Sequence, residues 1–478
     1  MPLRPFLVAL VAAALLAGCA VGPDYVRPTL PVPAAFKEDT GAWRAAQPQP
    51  AASGLAWWKA YGDATLDGLQ SDALGANQNI RQAEASWRQA RALADADHAG
   101  LFPSLGIDAG VTRSQTNATG KAKVANVDTL GLAASWEPDL WGSVRRTIES
   151  GDASAQAGAD DLAAARLSIQ TTLAQDYVQL RIADQQRDLY DATVAAYARA
   201  LRLTRAQHDA GVALRSDVAL AESQLAQAQA ADVDLEATRT QLEHAIAVLT
   251  GRAPAQFALA RVPANAPALR LPPAPAALPS ELLEHRPDIA AAERRAAAAN
   301  ASIGVAKAAY FPQLTLSASG GFNAAALGSL FDTPARVWAV GAALAQTLFD
   351  GGLRGARVAQ AQAGYDVAVA QYKQTVLGAF QQVEDQLALL RLLDQEAALQ
   401  AQAVRSSQQA EQLALNQYRA GTGSYLAVVT AQTLSLTNQR TAVQLRGRLL
   451  AASISLVAAT GGGWSADVPL AAVDAQPQ

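Results

Sequence analysis

Thiol chemistry in this sequence could arise at one position only, because Cys19 is the single cysteine among 478 residues. A lone cysteine forms no disulfide within its own chain. The four histidines are scattered, so no Cys/His cluster has the spacing of a metal site. No Ser/His/Asp constellation and no glycine-rich phosphate loop with its lysine occur either. The sequence therefore predicts no catalytic residues, no metal and no cofactor other than a group bound covalently to Cys19.

The residues before Cys19 favour lipid as that group. Arg4 precedes an uninterrupted apolar run from Phe6 to Leu16. The run is shorter than the roughly 20 residues that span a bilayer, and it is typical of a secretory signal. The string "LAGC" at 16–19 resembles the bacterial lipoprotein box, in which cleavage leaves an amino-terminal cysteine that carries lipid. We expect residues 1–18 to be removed and Cys19 to be lipidated; the alternative is an ordinary signal peptide with a chance cysteine.

Charge and hydropathy exclude two further classes. The formal net charge is −4, which argues against a nucleic-acid partner. After the signal, no apolar stretch approaches 18 residues without a polar interruption, so we expect no transmembrane helix. Any membrane-spanning part must then be built of strands.

The chain contains one pattern twice at a nearly constant offset. Phe102 and Phe311 are 209 residues apart, and "QHDAG" at 207–211 matches "QYRAG" at 417–421 at an offset of 210. A single offset over most of the chain indicates an internal duplication. We expect a signal peptide at 1–18, an extended segment at 19–58, repeat 1 at 59–251, a proline-rich linker at 252–280, repeat 2 at 281–461 and a disordered tail at 462–478.

Each repeat is expected to hold a helical run of about 35 residues that ends at Phe-Pro, followed by a much longer helix. Apolar residues three, four or seven apart form a coiled-coil seam: Leu162, Ile169, Leu173, Tyr177 and Leu180, then Val376, Phe380, Val383, Leu387 and Leu390. No proline interrupts 142–210, which predicts one helix of about 69 residues, or roughly 100 Å. Globular helices average about 11–12 residues, so a large enzyme domain is not expected.

Between these helices lie four segments in which apolar and polar residues alternate. Strands are predicted at about 104–115, 127–137, 313–322 and 336–347. Each has about the length of a tilted transmembrane strand, and an apolar outer face with a small or polar inner face is typical of outer-membrane barrels. Aromatic residues near the strand ends suggest interfacial girdles: Phe102, Trp136, Trp141, Phe311, Trp338 and Phe349. The alternative is two soluble hairpins that pack on helices.

Four strands cannot close a barrel by themselves, because single-chain outer-membrane barrels begin at about eight strands. Strands in lipid must therefore pair between copies of the chain. Two copies would supply about eight strands and three about twelve.

A series of short motifs between Cys19 and Gly461 resembles a known protein family. They occur in this order: "GPDY" (22–25), "WWKAYGDATLDGL" (57–69), "FPSL" (102–105), "WEPDLWG" (136–142), "HRPDI" (285–289), "YFPQL" (310–314), "LFDGG" (348–352) and "YRAGTGSYL" (418–426). In this order on a duplicated chain, they resemble the TolC/OprM-type outer-membrane efflux proteins, in the NodT-like lipoprotein subgroup. "HRPDI" also reads as a helix start with Pro287 at its first position.

The resemblance implies a mostly α-helical fold with a transmembrane β part. The expected molecule is a homotrimer with one 12-stranded β-barrel and a periplasmic α-barrel of coiled-coil helices. It implies a passive exit duct of a tripartite efflux pump, with a periplasmic adaptor and an inner-membrane transporter of the RND type or an ABC transporter as partners. The expected location is the outer membrane, where outer-membrane lipid is a further partner. Ala20, in place of the Asp of inner-membrane retention, agrees with this location.

A pore gate is expected at two helix tips, around Gly211 and Gly421. Leu426 matches a hydrophobic constriction of OprM-like members, whereas the positions that carry Asp in other relatives are Ala427 and Thr430 here. We therefore expect an apolar gate with weaker cation selectivity. Asp217 is expected to pair with a basic neighbour such as Arg419 in a closed state. The full predicted gate and tip set is Leu426, Tyr425, Thr430, Asp217, Arg215, Tyr418, Arg419, Gly211 and Gly421.

Two other functions stay open at this level. The first is the outer component of a type I protein secretion system, which these residues do not distinguish from a drug-efflux duct. The second is a lipid-anchored coiled-coil scaffold, in which the four alternating segments would not enter a membrane. The exported compound is not predicted.

Overall fold

The structure is a computed structural model that describes residues 20–33, 35–38, 56–118, 121–263, 266–273 and 285–464. The predicted signal peptide and Cys19 lie outside these residues, as does the predicted tail beyond Trp464. The described residues divide into two compact units. The first is drawn from Met1–Leu30, Ser86–Ala159 and Ala291–Gln374, and the second from Pro31–Ala85, Asp160–Ala290 and Thr375–Gln478.

The helices of the two repeats have matching lengths. Their bounds are α1 Ala64–Ala76, α2 Gln78–Ala99, α3 Ser143–Asp209, α4 Arg215–Leu249, α5 Pro287–Ala308, α6 Leu353–Arg419 and α7 Tyr425–Ala459. Both α3 and α6 have 67 residues, both α4 and α7 have 35, and both α2 and α5 have 22. The predicted helix of about 69 residues is therefore present as α3. Pro287 begins α5, as the sequence predicts.

The helical run before β1 is not continuous, and the prediction of one run of about 35 residues was wrong here. Asn77 leaves the helical conformation, with ψ at 128°. Its side-chain oxygen accepts hydrogen bonds from the backbone N–H groups of Asn79 and Ile80, at 2.9 and 3.2 Å. This is an N-cap for α2, and it satisfies donors that a helix start leaves open.

The first unit contains an antiparallel four-stranded sheet in the order β1-β2-β3-β4. The strands are β1 Ser104–Ala118, β2 Lys121–Trp136, β3 Gln313–Ala324 and β4 Arg336–Ala345. At the β1–β2 turn, β1 ends three residues beyond its predicted end and β2 begins six residues before its predicted start, because the polar tip of the hairpin continues the pairing. Only β2 and β3 pair on both sides within one chain, so β1 and β4 are open edges.

The register places all four apolar alternations on one side of the sheet. Ile107 lies opposite Leu132, which lies opposite Gly320, and Leu314 lies opposite Leu344. Directly paired residues share a face because side chains alternate along each strand. We call this side the apolar face; its members are Leu105, Ile107, Ala109, Val111, Leu130, Leu132, Ala134, Trp136, Leu314, Leu316, Ala318, Gly320, Phe322, Trp338, Val340, Ala342 and Leu344. Many of them are strongly exposed in the single chain; Val340, for example, is 75% exposed.

The second unit has a continuous aromatic and aliphatic core. A short 3₁₀ helix, Trp57–Tyr61, buries its aromatic side chains against α1, α3, α4 and α7. Arginines hold the proline-rich linker to this core: Arg239 donates to the Leu259 carbonyl at 2.5 Å, and Arg446 donates to the Leu269 carbonyl at 3.0 Å. After a 3₁₀ turn at Pro254–Gln256, the described part of the linker is thus a bound segment without helix or strand.

The residues that follow Cys19 are also bound. In the first unit, the Val21 N–H donates to the Trp141 carbonyl at 3.0 Å, and Tyr25 donates to the Glu293 carboxylate at 2.8 Å. Burial raises the pKa of Tyr25, and its hydrogen bond to Glu293 adds to the shift. In the second unit, Phe36 is buried beside Val383 and Leu390. The predicted extended segment therefore has specific contacts wherever it is described.

Among the described helices, α7 alone is long and apolar enough to cross a membrane by length and composition. It is nevertheless a packed helix of the second unit, since Leu450, Ile454 and Leu456 fill two of its cores. It also carries Arg440 and Arg446 in its interior, and Arg446 is bonded to the linker. We therefore assign α7 to the packed helices of the second unit.

Candidate functional site

The two helix tips in the second unit have the same turn. α3 ends at Asp209 and α6 ends at Arg419, and Gly211 and Gly421 both follow with φ at 75°. Glycine adopts this left-handed conformation without the steric cost that a Cβ would impose. The turns are closed by equivalent bonds, from the Val212 N–H to the Gln207 carbonyl at 2.8 Å and from the Thr422 N–H to the Gln417 carbonyl at 2.9 Å.

The helices that leave the tips are capped differently. At the first tip, the Leu214 N–H donates to Asp217 Oδ2 at 3.3 Å, so a carboxylate lies at the amino-terminal end of α4. Negative charge is favourable there because the helix dipole is positive at that end. At the second tip, the Ser424 hydroxyl accepts from the Ala427 N–H at 3.2 Å. The structure thus gives Asp217 a local capping partner.

The expected pair between Asp217 and Arg419 is not formed in this conformation. Within the described residues, neither side chain takes part in an ion pair shorter than 4.0 Å, and Arg419 is exposed. Arg215 is exposed as well, and the tip ion pair that does form joins Arg205 to Glu222 at 2.8 Å. The hydrogen bond from Arg205 lowers the pKa of Glu222.

Leu426 and Tyr425 are adjacent in sequence but have opposite environments. Leu426 is 62% exposed, and Thr430 beside it is exposed with its hydroxyl bonded to the Leu426 carbonyl at 2.9 Å. Tyr425 is only 3% exposed and packs against Leu201 and Val218. Tyr425 thus belongs to the tip as a buried side chain that anchors the start of α7. Burial raises the pKa of its phenol.

Polar contacts join the two tips to each other. Tyr418 donates a hydrogen bond to Gln207 Oε1 at 2.5 Å, and its ring lies 5.2 Å from that of Tyr425. Further along the bundle, Gln224 Nε2 donates to the Val429 carbonyl at 3.4 Å. Sequence reasoning missed Gln207 and Gln224, although Gln207 lies inside the repeated "QHDAG" motif. Its partner is 211 residues away, and no local pattern reports that separation.

The tips are helical turns held by apolar packing and hydrogen bonds. The described residues contain no cluster of three or more His, Cys, Asp or Glu side chains that could hold a metal ion. His208 is engaged in the first turn through the Ala213 carbonyl, at 3.0 Å from Nδ1. A small apolar cluster and a few hydrogen bonds hold the two helical hairpins together.

Aromatic side chains line both ends of the sheet in the first unit. At the end nearer the helices, Trp141 stacks on Phe311 with ring centroids 4.8 Å apart and donates to the Pro312 carbonyl at 2.7 Å. Trp136 donates to the Leu101 carbonyl at 3.0 Å. At the opposite end, Trp338 is 81% exposed. This arrangement is typical of the interfacial girdles of a membrane-spanning sheet.

Known proteins resemble this chain over most of its length. The sequence matches the family model described as "Outer membrane efflux protein" over residues 69–252 and 278–462. It is 33% identical over 462 residues to the outer membrane protein OprJ of Pseudomonas aeruginosa, covering 95% of each chain. It is 34% identical over 420 residues to the pyoverdine export outer membrane protein OpmQ of the same species, covering 86% of this chain and 88% of the relative. It is 30% identical over 465 residues to the toluene efflux pump outer membrane protein TtgF of Pseudomonas putida, covering 94% of this chain and 95% of the relative.

Solved structures give the same result for the fold. The outer-membrane channel OprN superposes with a TM-score of 0.87 at 33% identity, over 93% of this chain and 100% of that one. The open state of the MtrE outer membrane channel from Neisseria gonorrhoeae superposes with a TM-score of 0.83 at 28% identity, over 94% of this chain and 99% of that one.

Proposed function

Because this chain belongs to the outer membrane efflux protein family, as an outer-membrane efflux channel protein, we propose that it is the passive exit duct of a tripartite pump. The observation that carries the proposal is the sheet. It exposes a wide apolar face and leaves β1 and β4 unpaired at its edges. In lipid, each unpaired backbone group costs several kcal/mol, so these edges must pair with further copies of the chain.

We infer three copies rather than two. A barrel of about eight strands is just wide enough for side chains to fill its interior, whereas larger barrels enclose channels. An exit duct needs an aqueous lumen, which favours the trimer with about twelve strands. The small and polar face of the sheet, which includes Gly106, Asp108, Thr315 and Ser317, then lines the lumen, and the apolar face meets lipid.

The proposal is tested on protein extracted from outer membranes. Light scattering on the purified protein should give the mass of a trimer, and planar-bilayer recordings should show discrete conducting channels. A monomeric mass, or a trimer that conducts no ions even after disruption of the tips, would contradict the proposal.

We further propose that Leu426 of each copy narrows the duct at the tips, without an Asp ring at Ala427 and Thr430. The support is the exposure of Leu426 beside a buried Tyr425. The chain itself carries no catalytic machinery in this proposal, and energy comes from an inner-membrane transporter of the RND or ABC type through a periplasmic adaptor. The exposed tips are the surface available to that adaptor.

Cys19 is proposed as a lipid-bearing first residue of the mature protein. The support lies in the next residues, since Ala20 and Val21 are held against the start of α3: Val21 bonds to Trp141, and Ala20 lies close against Gly142. Because that segment starts beside the end of the sheet, we propose that the acyl chains lie at the membrane surface. The lipid is a second anchor in addition to the barrel.

The cargo is not assigned by similarity. OpmQ is named for pyoverdine export and TtgF for toluene efflux. This chain resembles both to similar degrees, so the similarity favours neither compound. An open duct selects weakly, so the transported compound is proposed to depend on the inner-membrane partner.

A further inference from the structure

The apolar face of the sheet ends in charged residues at the hairpin ends of its strands. On β1, Arg113 follows Val111 on the same face, and on β4, Arg336 precedes Trp338 on the same face. On β2 the equivalent boundary is Asp128. The helices attach at the other end of the sheet, where β1 and β3 begin and β2 and β4 end. The three charges therefore mark the side of the membrane away from the helices.

Strand length places the two arginines at the edge of the lipid layer. On β1, Arg113 lies eight positions after Leu105. On β4, Arg336 lies eight positions before Leu344. At about 3.4 Å per residue and a tilt of about 40°, that corresponds to roughly 20 Å of depth. The apolar band of such barrels is about 25 Å tall. An arginine costs about 2–4 kcal/mol at the membrane midplane but only about 0–1 near the interface, so the interface is where these side chains are tolerated.

Both arginines are available for a ligand in the single chain. Arg113 and Arg336 are exposed, and neither has an acidic partner within 4.0 Å in the part of the chain that the structure describes. Among the described residues of the strands, Asp128 is the acid on the same face at this level; it is 4% exposed and so is shielded from the surface. The surface that faces lipid at this end is therefore cationic.

The topology places these two side chains on the two strands that meet when copies assemble. Arg113 lies on β1 and Arg336 lies on β4, and these strands are the two edges of the sheet. Closing a barrel from identical copies pairs β1 of one copy with β4 of the next. Adjacent strands lie about 4.8 Å apart, and both arginines are on the outward face at the same end. Asp128 stays on an internal strand, away from this boundary.

We propose that Arg113 of one copy and Arg336 of the next form a binding site for the phosphate groups of an outer-leaflet lipid, one site at each boundary between copies. This inference rests on the proposed trimeric barrel. The planar guanidinium group pairs with phosphate through two parallel hydrogen bonds, and each basic residue near an anionic lipid surface contributes about a fivefold gain in binding. The exposed ring of Trp338 packs beside the acyl chains, as interfacial tryptophans do. The site therefore binds lipid at each β1–β4 boundary between copies.

The test is native mass spectrometry of the detergent-purified trimer with added lipid A, which carries two phosphates, and with dephosphorylated lipid A. Wild-type trimer should retain up to three phosphorylated molecules and bind the dephosphorylated lipid at least tenfold more weakly. Arg113→Gln and Arg336→Gln should each weaken retention about fivefold, and the double variant roughly thirtyfold.

Lys123→Gln is the matched control, because Lys123 is an exposed cation at the same end of β2 on the opposite face. It should leave lipid retention unchanged. Equal retention of both lipids by the wild-type trimer, or full retention by the double variant, would overturn the inference. Light scattering and conductance test the trimeric duct independently of the lipid site. A conducting trimer whose lipid binding does not depend on phosphate refutes the lipid site and leaves the proposed duct intact.

Discussion

Arg286 donates a hydrogen bond from Nη1 to the carbonyl oxygen of Ala459 at 2.8 Å. The bond joins the first residues before α5 to the last turn of α7, whose carbonyl groups have no partner within the helix. Repeat 1 makes the equivalent connection with different chemistry, since Asn77 Nδ2 donates to the Leu249 carbonyl at 2.8 Å. Arg286 is also held by Asp288 and Gln382. The "HRPDI" motif is therefore a clamp between helices as well as a helix start.

Arg286→Ala should loosen the carboxyl-terminal end of α7. The change removes a buried donor from the Ala459 carbonyl and leaves Asp288 without its cation, at a cost of roughly 2 kcal/mol or more. Hydrogen exchange of the last-turn amides should accelerate about thirtyfold. Arg252→Ala is the control, because Arg252 pairs with Asp72 at 2.7 Å but is half exposed. Such a surface pair contributes about 0–1 kcal/mol, and equal exchange in both variants would contradict the clamp.

Leu426→Ser should increase the leak of the resting channel. A ring of leucine side chains excludes water and ions from a constriction, and a smaller hydroxyl-bearing side chain hydrates it. Single-channel recordings in planar bilayers measure the effect. Leu399→Ser, an equally drastic change at a 70% exposed position of α6 outside the tips, should not alter the leak. An unchanged closed-state leak in Leu426→Ser would place the constriction at other residues.

Tyr418→Phe should make separation of the two tips easier. It deletes the hydroxyl that bonds Gln207 but retains the ring beside Tyr425. Loss of this hydrogen bond should raise the open probability of the channel roughly fivefold, which corresponds to about 1 kcal/mol. In a double-mutant cycle with Gln207→Leu, the coupling energy between Tyr418 and Gln207 should also be about 1 kcal/mol. Tyr372→Phe makes the same chemical change in the first unit, where the hydroxyl accepts from Arg27. Additive effects of the two tip variants would refute a direct tie.

Stability at alkaline pH should depend on Tyr197. Its ring is 6% exposed, and burial, with the nearby Glu411 carboxylate, raises the pKa of its phenol from 10.0 to about 12. Because the folded protein holds this proton more tightly than the unfolded chain, the contribution is complete below pH 10 and is lost as pH rises from 10 to 12. Two pKa units correspond to roughly 3 kcal/mol.

Tyr197→Phe removes this dependence, so the loss of stability between pH 10 and 12 should become shallower than in the wild type. Unfolding followed by circular dichroism, together with phenolate absorbance, reports both quantities. An identical pH dependence in the two proteins would show that Tyr197 ionises as freely in the folded state as in the unfolded chain.

Cys19→Ser, expressed behind an ordinary signal peptide, should retain substantial efflux. The closed barrel already anchors the trimer in the membrane, so the acyl chains are a second tether in the proposed function. Susceptibility of cells to exported compounds and the amount of trimer in the outer membrane measure the outcome. Complete loss of assembled trimer would instead show that lipidation is needed for insertion.

The local elements of this protein follow from patterns that a single chain displays. Seams of residues three and four apart predicted α3 and α6, and strict alternation predicted the four strands near their observed positions. Gly211 and Gly421 marked the helix tips because a left-handed turn requires glycine. Equal offsets between the copies predicted a repeated architecture, since similar sequence makes similar local structure. The break at Asn77 escaped prediction, because an N-cap inside a long helical pattern is a weak local signal.

The relations between distant residues were decided by the tertiary structure alone. The sheet register aligned four separate alternations into one apolar face, and strand order placed Arg113 and Arg336 on its two edges. Packing turned Tyr425 inward beside the outward Leu426 and paired Gln207 with Tyr418 across 211 residues. Periodicity shows which side of a helix or strand is apolar, but it does not show which other segment packs against that side. That choice depends on packing and hydrogen bonding over the whole chain, which only the folded molecule specifies.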